Sequence, residues 1–156
     1  MTEAAYDRIV ADADVLAADL LVGGPPREAL DHLRRHSWLT LVATEPLLDD
    51  AEAIVRSLSD PALAAAWRNK LDDWATVVEQ PAGDHPALAA AYRSGATQLL
   101  SADERLRSAR VGTELRAHTD LSVRTPAAFA RLFDPAAIYD LCFEETYPGP
   151  DRDPRW

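Results

Sequence analysis

The sequence predicts an α/β protein whose mostly parallel sheet is covered by helices on both faces. Short, mostly apolar runs alternate along the chain with longer segments of helical periodicity. Acidic residues follow two of these runs directly, at Asp12 and Asp103. A chain of 156 residues is long enough for one domain with a sizeable core. We therefore expect strands joined by helical crossovers.

Turn and capping residues set the element boundaries in the first half of the chain. The Gly23-Gly24 pair and the two prolines after it end the first helix. Thr44 is a favourable N-cap, and Pro46 fits the first turn that follows it. The predicted elements of this half are strands at 7–11 and 38–43, with helices at 14–22, 26–36 and 45–58.

The second half of the chain continues the alternation. Asp60-Pro61 and Thr125-Pro126 are both typical helix starts. Trp38, Trp67 and Trp74 are most simply explained as packing residues. The predicted elements of this half are helices at 61–75, 86–94, 103–109 and 126–133, a turn at 113–117, and strands at 76–79, 97–101 and 121–124.

A domain boundary is predicted at Asp134, which divides the chain into residues 1–133 and 134–156. A helix is expected from about 135 to 145, docked on the domain or on a second subunit. The segment 147–154 is too rich in proline and charge to pack alone, so we expect the last residues to be mobile.

Composition excludes several classes of protein. One cysteine, Cys142, excludes a disulfide framework and a cysteine-rich zinc site. The sequence shows no signal-peptide pattern and no apolar stretch near the roughly 20 residues of a membrane span, so a cytoplasmic protein without membrane contact is expected.

The chain is strongly acidic, with a net charge of −10, 17 Asp, 9 Glu and a single lysine, Lys70. Such a balance argues against nucleic acid as a partner. The same balance would suit a cytoplasm of molar salt, where the Debye length is only about 3 Å.

Acidic groups that follow parallel strands meet at one sheet edge, where open α/β proteins bind ligands. Asp12 and Asp103 therefore predict a carboxylate cluster, which is typical of sites for hard divalent cations. Asp84, which opens a small-residue helix, is a third candidate, and its alternative role is that of an N-cap.

An ordered set of motifs over about residues 7–133 resembles the PIN-domain nucleases. The motifs are Val10-Ala11-Asp12-Ala13-Asp14-Val15-Leu16, Thr44-Glu45-Pro46-Leu47-Leu48-Asp49-Asp50, Asp84 with Leu88 and Ala91, Leu99-Leu100-Ser101-Ala102-Asp103-Glu104-Arg105-Leu106, and Ser122-Val123-Arg124-Thr125-Pro126-Ala127-Ala128-Phe129. The resemblance implies a three-layer α/β/α sandwich whose acidic residues bind Mg²⁺ or Mn²⁺. It further implies cleavage of RNA, commonly single-stranded, and as partners a homodimer mate or an antitoxin-like protein.

The catalytic residues that the resemblance implies are Asp12, Asp50, Asp84 and Asp103. Of these, Asp12 and Asp103 are expected to ligate the metal, with Asp84 completing the site or orienting a water. Asp50 stands where the family usually has Glu, and its alternative role is that of a solvated helix charge.

Other residues near these motifs have two open interpretations each. Asp14 either orients metal-bound water or caps the first helix. Ser101 is expected to position a phosphate or Asp103. Arg105 and Arg107 either contact an RNA backbone or lie on a solvated helix face. His32 and His36 have the i, i+4 spacing of a metal pair, but without a third ligand we expect a surface face.

The sequence thus favours a metal-dependent endoribonuclease. The alternative is a catalytically inactive PIN-like domain that binds protein or RNA, favoured by Asp50 and by the scarcity of basic residues. A phosphorylation receiver is the third class, but it requires a lysine at a strand end, and Lys70 falls within a predicted helix.

Overall fold

The fold is built around one parallel sheet of five strands in the order β3-β2-β1-β4-β5. A computed structural model describes residues 5–80, 85–107 and 121–154. The strands are β1 Ala5–Ala11, β2 Thr40–Ala43, β3 Thr76–Val77, β4 Ala96–Leu100 and β5 Ser122–Arg124. The helices in this part of the chain are α1 Ala13–Leu21, α2 Gly24–Arg35, α3 Glu45–Leu58, α4 Pro61–Trp74, α5 Pro86–Ser94, α6 Glu104–Arg107, α7 Pro126–Leu132 and α8 Pro135–Cys142.

Helices cover both faces of this sheet, as the apolar strands require. Ile9, Val10 and Ala11 at the end of β1 are fully buried, and Leu41 and Leu99 on the neighbouring strands are buried beside them. Helix α1 contacts α2 and α3, and α3 contacts α4, whereas α5 packs against β1, β2 and β4. Right-handed crossovers that run in opposite directions lie on opposite faces, so the fold is a three-layer α/β/α sandwich.

The predicted N-cap residues of three helices are confirmed. Thr44, Asp60 and Thr125 each accept a backbone N–H of the following helix, and each is followed by a proline in the first turn. Helix α5 ends at Gly95, whose φ of 74° is the left-handed conformation that favours glycine.

The boundaries differ from prediction mainly at short elements. Strand β3 ends at Val77 instead of residue 79, although the Val78 N–H still donates to the Ala43 carbonyl. The predicted turn at 113–117 and the end of the predicted helix at 103–109 lie outside the described residues.

The C-terminal segment is described up to residue 154 and packs on the domain, whereas the mobility of the last residues stays a prediction. Helix α8 lies against β1. Beyond it, the N–H groups of Asp151 and Arg152 donate to the Arg35 carbonyl at the end of α2. The Asp151 carboxylate accepts the Ser37 N–H at 2.8 Å. Hydrogen bonds to the end of α2 and the residues after it therefore hold this proline-rich segment in place.

The expectation that His32 and His36 form a surface face is wrong, because α7 and the C-terminal segment cover this side of α2. His36 is only 2% exposed, and its Nε2 lies 2.6 Å from the Tyr147 hydroxyl. The His32 Nε2 lies 3.0 Å from the Ala130 carbonyl. The two imidazoles therefore connect α2 with α7 and with the C-terminal segment.

Among the described residues, no helix is both long and apolar enough to cross a bilayer.

Candidate functional site

The strand order reverses between β1 and β4, and the candidate site lies at the carboxyl ends of these two strands. From β1 the chain moves outward to β2 and β3, and it then returns to the other side of β1 to form β4 and β5. Ala11 and Leu100 are paired in register, and the Asp12 N–H donates to the Leu100 carbonyl at 2.8 Å. Open α/β sheets bind ligands in the crevice at such a reversal.

Asp12 is held in a fixed orientation at this edge. It is the N-cap of α1 and is only 9% exposed. Its Oδ1 accepts the Ala13 N–H at 2.8 Å, and its Oδ2 accepts the Ser101 hydroxyl at 2.9 Å. The amino end of α1, which carries a partial positive charge, lies next to this carboxylate and attracts it.

Ser101 links Asp12 to Asp103. Its side chain is fully buried, and besides donating to Asp12 its Oγ accepts the Asp103 N–H at 3.0 Å. Of the two roles that the sequence leaves open, this geometry favours the positioning of Asp103, since a buried hydroxyl bonded on both sides has no free face for a phosphate.

Asp103 carries the more exposed carboxylate, and Arg105 holds it. The Arg105 Nε and Nη2 lie 3.2 and 3.1 Å from the two carboxylate oxygens, and the Arg105 backbone N–H donates to Oδ1 at 2.9 Å. The hydrogen bonds from Arg105 lower the pKa of Asp103, and the charge of His85 acts in the same direction. The Arg105 side chain is 89% exposed, so this contact is open to competition from a ligand.

Asp14 is the third carboxylate at this edge. Its Oδ1 accepts the Val15 N–H at 2.8 Å, and the Ala102 backbone N–H also donates to it. Burial raises the pKa of Asp14, and so do the negative charges of Asp12 and Asp103. Because Asp12 is the N-cap of α1, the capping role that was open for Asp14 belongs to its neighbour.

Of the other predicted site residues, the side chain of Asp50 is described, whereas Asp84 and the Arg107 side chain are not. Asp50 is exposed on α3, and no hydrogen bond or ion pair in the described part of the chain involves its side chain. Asp84 lies outside the described residues. The N-cap of α5 is His85, whose Nδ1 accepts the Ala87 N–H at 3.1 Å, so the capping role considered for Asp84 falls to His85. Arg107 ends α6, and its side chain is also outside the described part.

The donor chemistry of this edge fits a hard divalent cation. Asp12, Asp14 and Asp103 supply carboxylate oxygens, and the raised pKa of Asp14 reflects in part a repulsion that a cation would relieve. Within residues 5–80, 85–107 and 121–154, however, no group of three or more His, Cys, Asp or Glu side chains is arranged to hold a metal ion. The Asp103 carboxylate is bound by Arg105 instead.

Fold and site together define an open α/β/α protein with an acidic group at its topological switch point. The chain belongs to a family of unknown function (DUF7384), whose sequence profile matches residues 3–155. No significant match was found among curated proteins or among solved structures.

Proposed function

We propose that the protein is a metal-dependent endoribonuclease that hydrolyses RNA phosphodiester bonds at this edge of the sheet. One observation carries the proposal: the Ser101 hydroxyl joins Asp12 to the backbone of Asp103 at the switch point, directly beside Asp14. The resemblance to PIN-domain nucleases supports the choice of reaction, because the matching motifs supply Asp12 and Asp103 in the same order.

Each residue of the site has a distinct task in this proposal. Asp12 and Asp103 are the direct metal ligands, Asp14 orients water near the metal, and Ser101 holds Asp12 in place. Bound Mg²⁺ or Mn²⁺ would polarise the scissile phosphate and lower the pKa of an attacking water. Asp84 and Asp50 remain expected members of the site on the resemblance alone.

Arg105 is the proposed contact for the substrate backbone. Its guanidinium is almost fully exposed and lies beside the acidic edge, where it can donate charge-assisted hydrogen bonds to a phosphate oxygen. A contact of this kind is important in a chain of net charge −10, because the 26 acidic residues outnumber the 16 basic ones and the overall charge repels RNA. Arg107, two residues further on, is a second candidate.

The expected substrate is single-stranded RNA, in keeping with the resemblance. Cytoplasmic location, self-association and an antitoxin-like protein partner are further proposals that rest on the same ground.

Cleavage of a mixed single-stranded RNA pool tests the proposal. The wild-type protein is assayed with Mn²⁺, Mg²⁺ or EDTA, in low and in molar salt, beside an Asp12→Asn, Asp103→Asn variant. An Asp72→Asn, Asp73→Asn variant removes the same charge from exposed positions on α4 and serves as the matched control. We expect metal-dependent cutting by the wild type and the control only. Cutting that persists in EDTA or in the site variant contradicts the proposal.

The second candidate is a catalytically inactive domain that binds protein or RNA. The Arg105–Asp103 ion pair favours it, because it occupies a carboxylate that catalysis requires. The exposed position of Asp50 points the same way. RNA that is bound but not cut under any of these conditions would select this alternative.

A further inference from the structure

A cleft between α1, α2 and α4 forms a second candidate site, away from the acidic edge. We propose that it binds a small ligand that joins an aromatic ring to a phosphate, of the nucleoside monophosphate class. Its volume is about 780 Å³, which is within the ordinary range for small-molecule sites.

The cleft lies at the opposite edge of the sheet from Asp12, Asp14 and Asp103. Trp74 ends α4 just before β3 begins, and Arg34 and Arg35 end α2 shortly before β2 begins. These residues therefore lie near the amino ends of the strands, whereas Asp12 and Asp103 follow the carboxyl ends. The inference is accordingly independent of the proposed nuclease function.

The lining of the cleft has a charge opposite to that of the whole chain. Four basic and three acidic side chains line it, so its net charge is positive in a protein of net charge −10. Lys70 and Arg35 are exposed, and neither enters any ion pair of the described residues. Arg35 on α2 and Lys70 on α4 thus give the cleft two exposed cations, which are suited to a phosphate group.

Helix α4 also contributes two tryptophan side chains to the lining of the cleft. Trp67 is 8% exposed and Trp74 is half-buried. The Arg34 guanidinium lies 4.9 Å from the centre of the Trp74 ring, and its Nη1 donates to the buried Asp19 carboxylate at 2.8 Å. Arg34 covers one face of the Trp74 ring and is itself held by Asp19, so the indole is fixed in position and a planar ligand ring would stack on its other face.

Calorimetric titration and tryptophan fluorescence test the inference. The probes are adenosine 5′-monophosphate, adenosine and inorganic phosphate, all in EDTA so that no metal contributes. We expect the nucleotide to bind at least about tenfold more tightly than either fragment. An Arg35→Gln, Lys70→Gln variant should bind it about tenfold or more weakly, since it loses two charge-assisted contacts.

Two controls separate this site from others. An Arg56→Gln, Arg93→Gln variant removes the same charge from outside the cleft and should bind like the wild type. The Asp12→Asn, Asp103→Asn variant should also bind normally, whatever becomes of the nuclease proposal. The inference is overturned by a lack of saturable binding at about millimolar nucleotide, by inorganic phosphate binding as tightly as the nucleotide, or by wild-type affinity in the Arg35→Gln, Lys70→Gln variant.

Discussion

Replacement of Ser101 by Ala removes the link on which the candidate site depends. The wild-type hydroxyl donates to Asp12 at 2.9 Å and accepts the Asp103 N–H at 3.0 Å, with Ser101 fully buried and Asp12 only 9% exposed. A hydrogen bond to a charged group contributes about 1.5–3 kcal/mol, and buried partners that are left unpaired add to the loss. We therefore expect Ser101→Ala to lower the free energy of unfolding by about 2–3 kcal/mol.

Urea unfolding followed by circular dichroism measures this change. For a domain of this size, a loss of that magnitude corresponds to a fall in Tm of about 4–12 °C. Ser57→Ala is the matched control, because the Ser57 hydroxyl bonds the Ile54 carbonyl at 3.0 Å on the exposed face of α3. The control should change the free energy of unfolding by less than about 0.5 kcal/mol.

The same variant distinguishes a positioning role from a merely structural one. If Ser101 orients Asp12, then Ser101→Ala should weaken Mn²⁺ binding to the folded protein about tenfold. Loss of a group that orients a metal ligand typically lowers metal affinity by about 10- to 100-fold. A loss of stability no greater than that of Ser57→Ala would refute the reasoning about the buried hydroxyl. Unchanged Mn²⁺ affinity in a destabilised variant would refute the positioning role alone.

Three further predictions concern charge and burial elsewhere. The folded state raises the pKa of Asp14, so the contribution of Asp14 to stability is fully present below its unfolded pKa and is lost as pH rises through its folded pKa. In EDTA, Asp14→Asn should therefore remove part of the loss of stability that the wild type shows as pH rises from about 4, measured by urea unfolding at each pH. Asp19→Ala should cost about 3 kcal/mol of unfolding free energy, since it strips Arg34 of its buried partner, and a loss near zero in a thermal melt would contradict this. Tyr147→Phe should cost about 1 kcal/mol in the same melt by removing the bond to His36, and an unchanged Tm would show that the C-terminal segment is not held there.

Much of the fold could be predicted because local chemistry and tertiary packing agree. The caps at Thr44, Asp60 and Thr125 are each followed by proline, and the apolar runs at β1, β2 and β4 have the length and composition of strands buried on both faces. Where these signals coincide, element positions match to within a few residues.

Contacts between distant segments could not be predicted in the same way. The bond between His36 and Tyr147 could not be predicted from the residues around His36, because Tyr147 lies in a proline-rich segment far along the chain. That segment lacks the apolar content to pack alone, and it is ordered by carbonyl groups at the end of α2. The composition of a segment indicates whether it can pack by itself. It does not indicate whether hydrogen bonds from another element will order it.

The candidate site was predictable in position but only partly in its contacts. Strand ends placed Asp12 and Asp103 at one edge, and the register of β1 with β4 brings them together. The ion pair between Arg105 and Asp103 was missed, although an arginine two residues after an aspartate in a turn is within reach of its carboxylate. The sequence contains both residues but does not indicate whether Arg105 binds the substrate or Asp103.

Calorimetric titration of Mn²⁺ into the wild-type protein tests whether Asp12, Asp14 and Asp103 form a divalent-cation site. We predict saturable binding by the wild type and by the Asp72→Asn, Asp73→Asn control, with affinity at least about tenfold weaker in the Asp12→Asn, Asp103→Asn variant. Equal affinity in all three proteins, or no binding in any, would contradict it.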